Sequence, residues 1–228
     1  MKKTKRRYIL RARAGHVAET RARIILAMIG LHQEVGPRNT TVSAIAARAG
    51  VERLTVYRHF KDEAAMFAAC SHRYLELNPP PDPAEWTAET EPASRTRRGL
   101  AELYAFFRRT SPMLEKVYRD VGEYASLKKI MDQFDANLRH AADALAAAWP
   151  GDDAVARRQV ILRHAARFAT WQSLQAEGLN DNQKIELILV WLSAWSDAHS
   201  EKRDSPVRTP SPAGTSRADP SGSLSNFR

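Results

Sequence analysis

Between residues 51 and 61 the chain gathers side chains suited to the edges of base pairs and the oxygens of phosphates: Arg53, Leu54, Thr55, Tyr57, Arg58, His59 and Lys61. Arg53, Leu54, Tyr57 and Arg58 are spaced by three and four, which puts them on one face of a short helix. A guanidinium at Arg53 can bond both O6 and N7 of one guanine, and Leu54 can touch a thymine methyl. Tyr57 and His59 carry ring-borne donors at the right turn for phosphates. Thr41, Ser43 and Thr55 add hydroxyls near helix starts, where backbone N–H groups also point outward. Lys61, just past this helix, is a further phosphate contact. Phe60 reads as a core aromatic. For Tyr57 two readings hold together, with the ring packed and the hydroxyl on phosphate.

These side chains need a scaffold, and the surrounding residues spell one. Val42, Ile45, Ala46 and Ala49 form one apolar stripe of a helix that Thr41 can cap. Gly50 turns out of that helix with positive φ at little cost, and Val51 packs back as the next helix begins. A helix from about 17 to 35 precedes them (Ile24, Ile25, Met28, Leu31, Val35) and Gly36-Pro37 ends it. Asp62 is placed to cap a fourth helix carrying Met66, Cys70, Tyr74 and Leu77.

Residues 17–77 resemble the helix-turn-helix region of the tetracycline-repressor-type (TetR) family of bacterial regulators. The resemblance rests on the Thr-rich start, Ile45-Ala46, Ala49-Gly50-Val51 and Thr55-Val56-Tyr57-Arg58-His59-Phe60, in order over three helices. It implies an all-α fold in which an N-terminal three-helix DNA-binding domain joins a C-terminal helical bundle that binds a small molecule and dimerises. Two departures stand out. The family usually opens its fourth helix with a lysine that clamps phosphate, and here that position is Glu63. Where Leu54 stands the family often has a small residue or proline.

Downstream, Asn78-Pro79-Pro80-Pro81-Asp82-Pro83 reads as a linker, because prolines supply no donors for helix or ladder. Helices are then expected at about 94–109, at 111–121 with Ser111 as cap and Pro112 at its first position, at 123–149 up to Pro150-Gly151, at 152–177 led by Asp152 and Asp153, and at 181–199. Nothing alternates like a strand. Tyr104, Phe107, Met113, Tyr118, Met131, Phe134, His164, Phe168 and Trp171 are the groups from which an effector pocket would be built, each also readable as plain core. In the last helix, apolar residues from 185 to 195 cover almost every direction, so it is either wholly internal or buried on two sides. The second case makes Phe168, Trp171, Leu174, Ile188, Trp191, Leu192 and Trp195 a homodimer interface about a twofold.

Charge is divided unevenly along the 228 residues. Residues 1–77 carry 15 Lys/Arg against 6 Asp/Glu, residues 78–199 carry 15 against 17, and the whole chain is +9. A basic end on a near-neutral body argues for a polyanion at that end. Double-stranded DNA suits it better than a membrane, since the basic segment offers no apolar face for insertion. Residues 1–16 form a basic arm, either a solvated tail or an arm reaching a minor groove or phosphates. The expected order is therefore arm 1–16, helix-turn-helix domain 17–77, helical ligand-binding and dimerisation domain 78–199, and a Ser/Pro/Gly-rich disordered tail 200–228. One cysteine, Cys70, leaves no intramolecular disulfide and fits a reducing cytoplasm. No secretory signal, membrane span, Ser/His/Asp set, phosphate loop or metal-ligand spacing is present, so neither enzyme, cofactor nor metal is expected. The function read from these features is a ligand-responsive homodimeric repressor on a near-palindromic operator. The alternative is a helix-turn-helix regulator without small-molecule ligand, controlled by protein partners, which would have a filled core.

Overall fold

In a computed structural model of the chain, the described residues are 2–149 and 155–203, with side chains described over 14–149 and 156–194. They form nine α-helices and two 3₁₀ turns, and no strand occurs among them. α1 (Lys2–Glu34), α2 (Val42–Ala49), α3 (Arg53–His59) and α4 (Glu63–Leu77) come first. A 3₁₀ turn (Pro83–Ala88) leads to α5 (Pro92–Asp120), and a second (Val121–Glu123) to α6 (Ala125–Ala146). α7 (Val155–Ala165), α8 (Phe168–Ala176) and α9 (Asp181–Arg203) complete the order.

The first helix departs from expectation. The basic arm is helical from Lys2 and runs unbroken into the apolar part of α1. At 33 residues α1 is about 50 Å long. Ile24, Met28 and Leu31 of α1 bury against Ile45, Ala46 and Ala49 of α2, Val56 and Phe60 around α3, and Met66 and Phe67 of α4. This apolar core passes without a break into the rest of the molecule, because α1 also packs on α5 and α4 on α6.

α5 is one helix where two were expected. Pro112 sits inside it and removes the N–H that the Arg108 carbonyl would accept from. Ser111 Oγ donates to that carbonyl at 3.3 Å, and Thr110 Oγ1 to the Phe106 carbonyl at 2.7 Å. Leu103, Phe106, Phe107, Met113, Leu114 and Val117 bury on both sides of the proline, so packing holds the helix through it. The expected helix over 152–177 is instead two. The chain leaves helical geometry at Ala166-Arg167, which swings Phe168 and Trp171 onto Phe107, with ring centroids at 5.5 and 6.1 Å. Asp152, Asp153 and Pro150-Gly151 lie outside the described residues, as does the tail beyond 203.

Residues 79–82 are non-helical as expected, but Pro83 opens the 3₁₀ turn with Asp82 as its cap. That turn delivers Trp86, fully buried, into the core, where its Nε1 donates to Glu102 Oε2 at 2.7 Å. Its indole lies beside Gly99 of α5, whose missing side chain lets Leu145 of α6 come closer still.

Candidate nucleic-acid interface

α2 is set by its two ends. The Ala44 N–H donates to Thr41 Oγ1 at 3.1 Å, the cap expected of that threonine. Gly50 closes the helix at φ +64°, its N–H and that of Val51 reaching back to the Ala47 and Ala46 carbonyls. A non-glycine side chain is strained at that φ, so the sharp turn between α2 and α3 depends on Gly50. Arg48 grips Glu34 with two hydrogen bonds of 2.8 and 2.6 Å, fastening α2 to α1 on the solvent side and holding the Glu34 carboxyl below its usual pKa.

α3 buries Val56 and, at its end, Phe60, under the Arg21 guanidinium at 4.9 Å from the ring centroid. Its other face is open. Arg53 and Arg58 are exposed, Leu54 and Tyr57 stand out of the surface at 59% and 48% exposure, and Thr55 and His59 are half-buried. An exposed leucine and tyrosine flanked by two arginines have no partner among the described residues, which is the arrangement a helix entering a major groove needs. The Tyr57 ring edges a cleft that also holds Thr40, Asp62 and Glu63. Thr41, Ser43 and Lys61 are also exposed. Lys61 lies 3.8 Å from Asp62, which itself caps α4 through the Ala65 N–H at 2.7 Å. Glu63 is exposed at the first position of α4, where a carboxylate suits the helix dipole but opposes a phosphate.

The head is tied to the body by a contact that sequence spacing does not reveal. Asp120 at the end of α5 is buried and accepts the Arg38 backbone N–H at 3.1 Å. Arg119 bonds both Asp120 oxygens at 2.7 and 3.0 Å and donates to the Val35 carbonyl at 3.2 Å. Arg38 in turn pairs with Glu123 at 3.0 Å. The Arg119 guanidinium holds the Asp120 carboxyl below the usual aspartate range. These groups meet the α1–α2 turn at Gly36, which has φ +88° and no room for a Cβ.

The nine pocket candidates do not surround one space. Met113, Met131 and Phe134 line a cavity of about 440 Å³ between α4, α5 and α6. Tyr104, Phe107, Tyr118, Phe168 and Trp171 instead stack on one another as solid core, and Tyr104 donates to the Ala165 carbonyl at 3.1 Å. His164 is exposed in a separate groove with Arg163 and Arg167. Spacing missed His32, Cys70 and Tyr74, which also line the cavity. The signal was present on α4, where a thiol and a phenol one turn apart interrupt an otherwise apolar stripe. His32 Nδ1 lies 3.5 Å from Cys70 Sγ.

The proposed dimer set is likewise divided. Phe168, Trp171, Ile188 and Leu192 are covered by their own chain, because α8 and α9 turn that face toward α5 and α7. Leu174 is half-buried, and Val190 and Trp191 form the outward apolar face of α9. The Trp195 side chain lies outside the described residues. No helix among the described residues is long and apolar enough to cross a membrane.

Residues 24–70, from mid-α1 into α4, match the family model of bacterial regulatory proteins of the tetR family. No curated protein matches the chain. Among solved structures, the fold is similar to a TetR-like transcriptional regulator from Rhodococcus sp. RHA1 (17% identity, 79% of this chain and 96% of that one, TM-score 0.55). It is similar as well to a TetR transcription regulator from Haloarcula marismortui (18%, 79% and 98%, 0.54). A third is NalD, the secondary repressor of the MexAB-OprM multidrug efflux pump in Pseudomonas aeruginosa (17%, 78% and 95%, 0.52). At these identities the structural likeness speaks for the fold, and the family model for the head. With its glycine-hinged helices and open α3 face, the head over residues 24–70 is the part of the chain that matches the tetR-family DNA-binding domain, and the all-helical fold around it is similar to that of TetR-type transcriptional regulators.

Proposed function

We propose that the protein is a homodimeric, cytoplasmic repressor that binds a near-palindromic operator and leaves it when a small molecule occupies the helical body. The observation that carries the reading is the cavity of about 440 Å³ bordered by α4, the helix that directly follows α3. A ligand there bears on the element that sets the angle of the recognition helix. The same cavity favours this reading over control by protein partners alone, which expects a filled core.

In this account residues 1–16 extend α1 as a basic arm toward DNA, residues 17–77 hold the reading head, and residues 78–199 bind effector and partner, with 200–228 as a tail. Arg53 reads a base, Leu54 contacts a thymine methyl, and Thr41, Ser43, Thr55, Tyr57, Arg58, His59 and Lys61 hold phosphates. Two heads reach successive major grooves about 34–36 Å apart, so a dimer is required for specificity. The outward face of α9, with Val190 and Trp191, and Leu174 of α8 provide the twofold contact. An effector acts by binding more tightly to the arrangement in which that spacing is lost.

The test is a fluorescence-anisotropy titration on the DNA flanking the protein's own gene, with Arg53→Ala alongside. Sequence-preferring binding by the wild type, lost in the variant, is expected. Equal and sequence-indifferent binding by both overturns base readout by Arg53.

A further inference from the structure

The 440 Å³ cavity falls within the size range of small-molecule sites. Its walls are apolar, built from Phe67, Phe106, Leu114, Val117, Met131 and Phe134. Three ionisable groups reach it from α1 and α4, and burial keeps each neutral at physiological pH. The His32 pKa is lowered to about 4, and the Cys70 thiol and Tyr74 phenol are both pushed up to about 12. A thiol so held is a poor nucleophile, which argues against covalent capture through Cys70.

Charge enters the lining at one place among the described residues. Lys129, exposed on α6, stands at the mouth, and no Asp or Glu lines the cavity. Its neighbour Lys128 is taken by Asp132 at 2.6 Å, whereas Lys129 faces no acidic partner among the described residues. Beyond it on successive turns of the same helix lie Gln133 and Asn137, also lining the cavity and joined amide to amide at 3.1 Å. The mouth therefore offers a cation followed by hydrogen-bonding amides, and the interior offers hydrocarbon.

We propose that this cavity takes a single-chain amphiphilic anion, its apolar body between α4, α5 and α6 and its acidic head on Lys129. The proposal rests on the effector reading above. A cationic ligand would bring its charge to a lining with no counter-charge, at a large desolvation cost. An uncharged chain would bury as well but would leave Lys129 unused. An anionic head at the mouth gains the ion pair while remaining partly hydrated, which avoids the penalty of a fully buried pair.

The experiment is calorimetric titration of the full-length protein with dodecanoate, dodecan-1-ol and dodecyltrimethylammonium, each kept below its micelle concentration. Wild type, Lys129→Gln and Lys129→Glu are compared, with operator affinity measured in parallel. Dodecanoate is expected to bind most tightly and the quaternary ammonium least. Lys129→Gln should weaken dodecanoate by roughly two- to fivefold with little change for dodecanol, as fits an exposed ion pair. Lys129→Glu should shift the preference toward the cation. Equal affinity for the three heads, or indifference to Lys129→Glu, overturns the placement of the head and leaves the effector reading standing. Lys129-dependent binding that does not alter operator affinity keeps the site and overturns the effector reading. Absence of binding by all three chains overturns the proposed ligand class. Met131→Trp, which fills the cavity from α6, should abolish dodecanoate binding while the fold, followed by circular dichroism, is retained; undiminished binding in that variant overturns the cavity as the site.

Discussion

The carboxylate of Asp120 accepts the backbone N–H of Arg38 at 3.1 Å across 82 residues of sequence, and it does so while almost fully buried. Through this oxygen, and through the Arg119 bond to the Val35 carbonyl, the turn between α1 and α2 is held by the end of α5. Removing the carboxylate strands a backbone donor and leaves Arg119 without its anion. Asp120→Ala is expected to lower the unfolding free energy by about 1–3 kcal/mol in urea denaturation. Because the folded-state pKa of Asp120 is depressed, its stabilisation is in place above the ordinary aspartate value of about 4 and is lost as pH falls below it. The difference between wild type and Asp120→Ala should therefore narrow in acid. A constant difference down to pH 2 would count against the ionic part of this contact.

Arg53 and Lys61 are assigned different work on DNA, and their variants should differ in kind. Arg53→Ala should cost about 1–3 kcal/mol on the preferred site and relax preference at one base pair. Lys61→Ala should weaken all sequences alike and reduce the salt slope by about one unit. Salt titrations on specific and scrambled duplexes measure both. Lys61 shares its position with Asp62, so a salt slope unchanged in Lys61→Ala would transfer the phosphate contact to other groups such as the basic start of α1.

His32 is buried beside Cys70 and its pKa is lowered to about 4 by loss of solvent, with Asp120 opposing that shift. The unfolded chain takes up this proton near pH 6.5 and the folded one resists it until about pH 4. Stability is therefore undiminished above pH 6.5 and falls between 6.5 and 4, by up to about 3 kcal/mol from this group. His32→Gln should flatten that part of the curve in urea denaturation measured at intervals of pH. An equal slope in both proteins would show that other groups dominate.

Gly99 marks a close approach between α5 and its neighbours in the core. A Cβ there would stand 2.5 Å from Leu145 Cδ2 and 3.1 Å from the Trp86 ring. Gly99→Ala should destabilise by about 1–3 kcal/mol despite alanine's better helix propensity. In Leu145→Ala the same change should cost less, because the space it needs has been vacated. Additive effects in this double-mutant cycle would place the clash elsewhere.

Val190 and Trp191 lie exposed on α9, where the dimer is proposed. Trp191→Asp should yield a monomer by light scattering and weaken operator binding without loss of helicity. A dimer that survives this substitution would move the twofold to another surface.

Much of the head was legible because its determinants are local. A cap at Thr41, a positive φ at Gly50 and a cap at Asp62 each act within four residues, and the structure carries all three. The body was legible as helices but not as an arrangement. Pro112 was expected to begin a helix, yet burial of Phe107 on one side and Met113 on the other keeps α5 continuous. Ala166 and Arg167 carry no breaker chemistry, and the helix parts there because Phe168 and Trp171 find Phe107. Aromatic residues on several helices could not be sorted by spacing into those that fill space and those that border it. His32 and Asp120 escaped notice for the same reason, since their partners lie far away in sequence.

The apolar core that runs unbroken from Ile24 and Phe60 to Leu145 and Ile188 has a consequence for how the parts can be handled. The reading head is not a detachable cartridge. Cut after α4, it would present Phe67, Cys70 and Tyr74 to water and lose the anchor at Arg38. A chimera placing this head on another regulator's body would need those contacts rewritten at both seams.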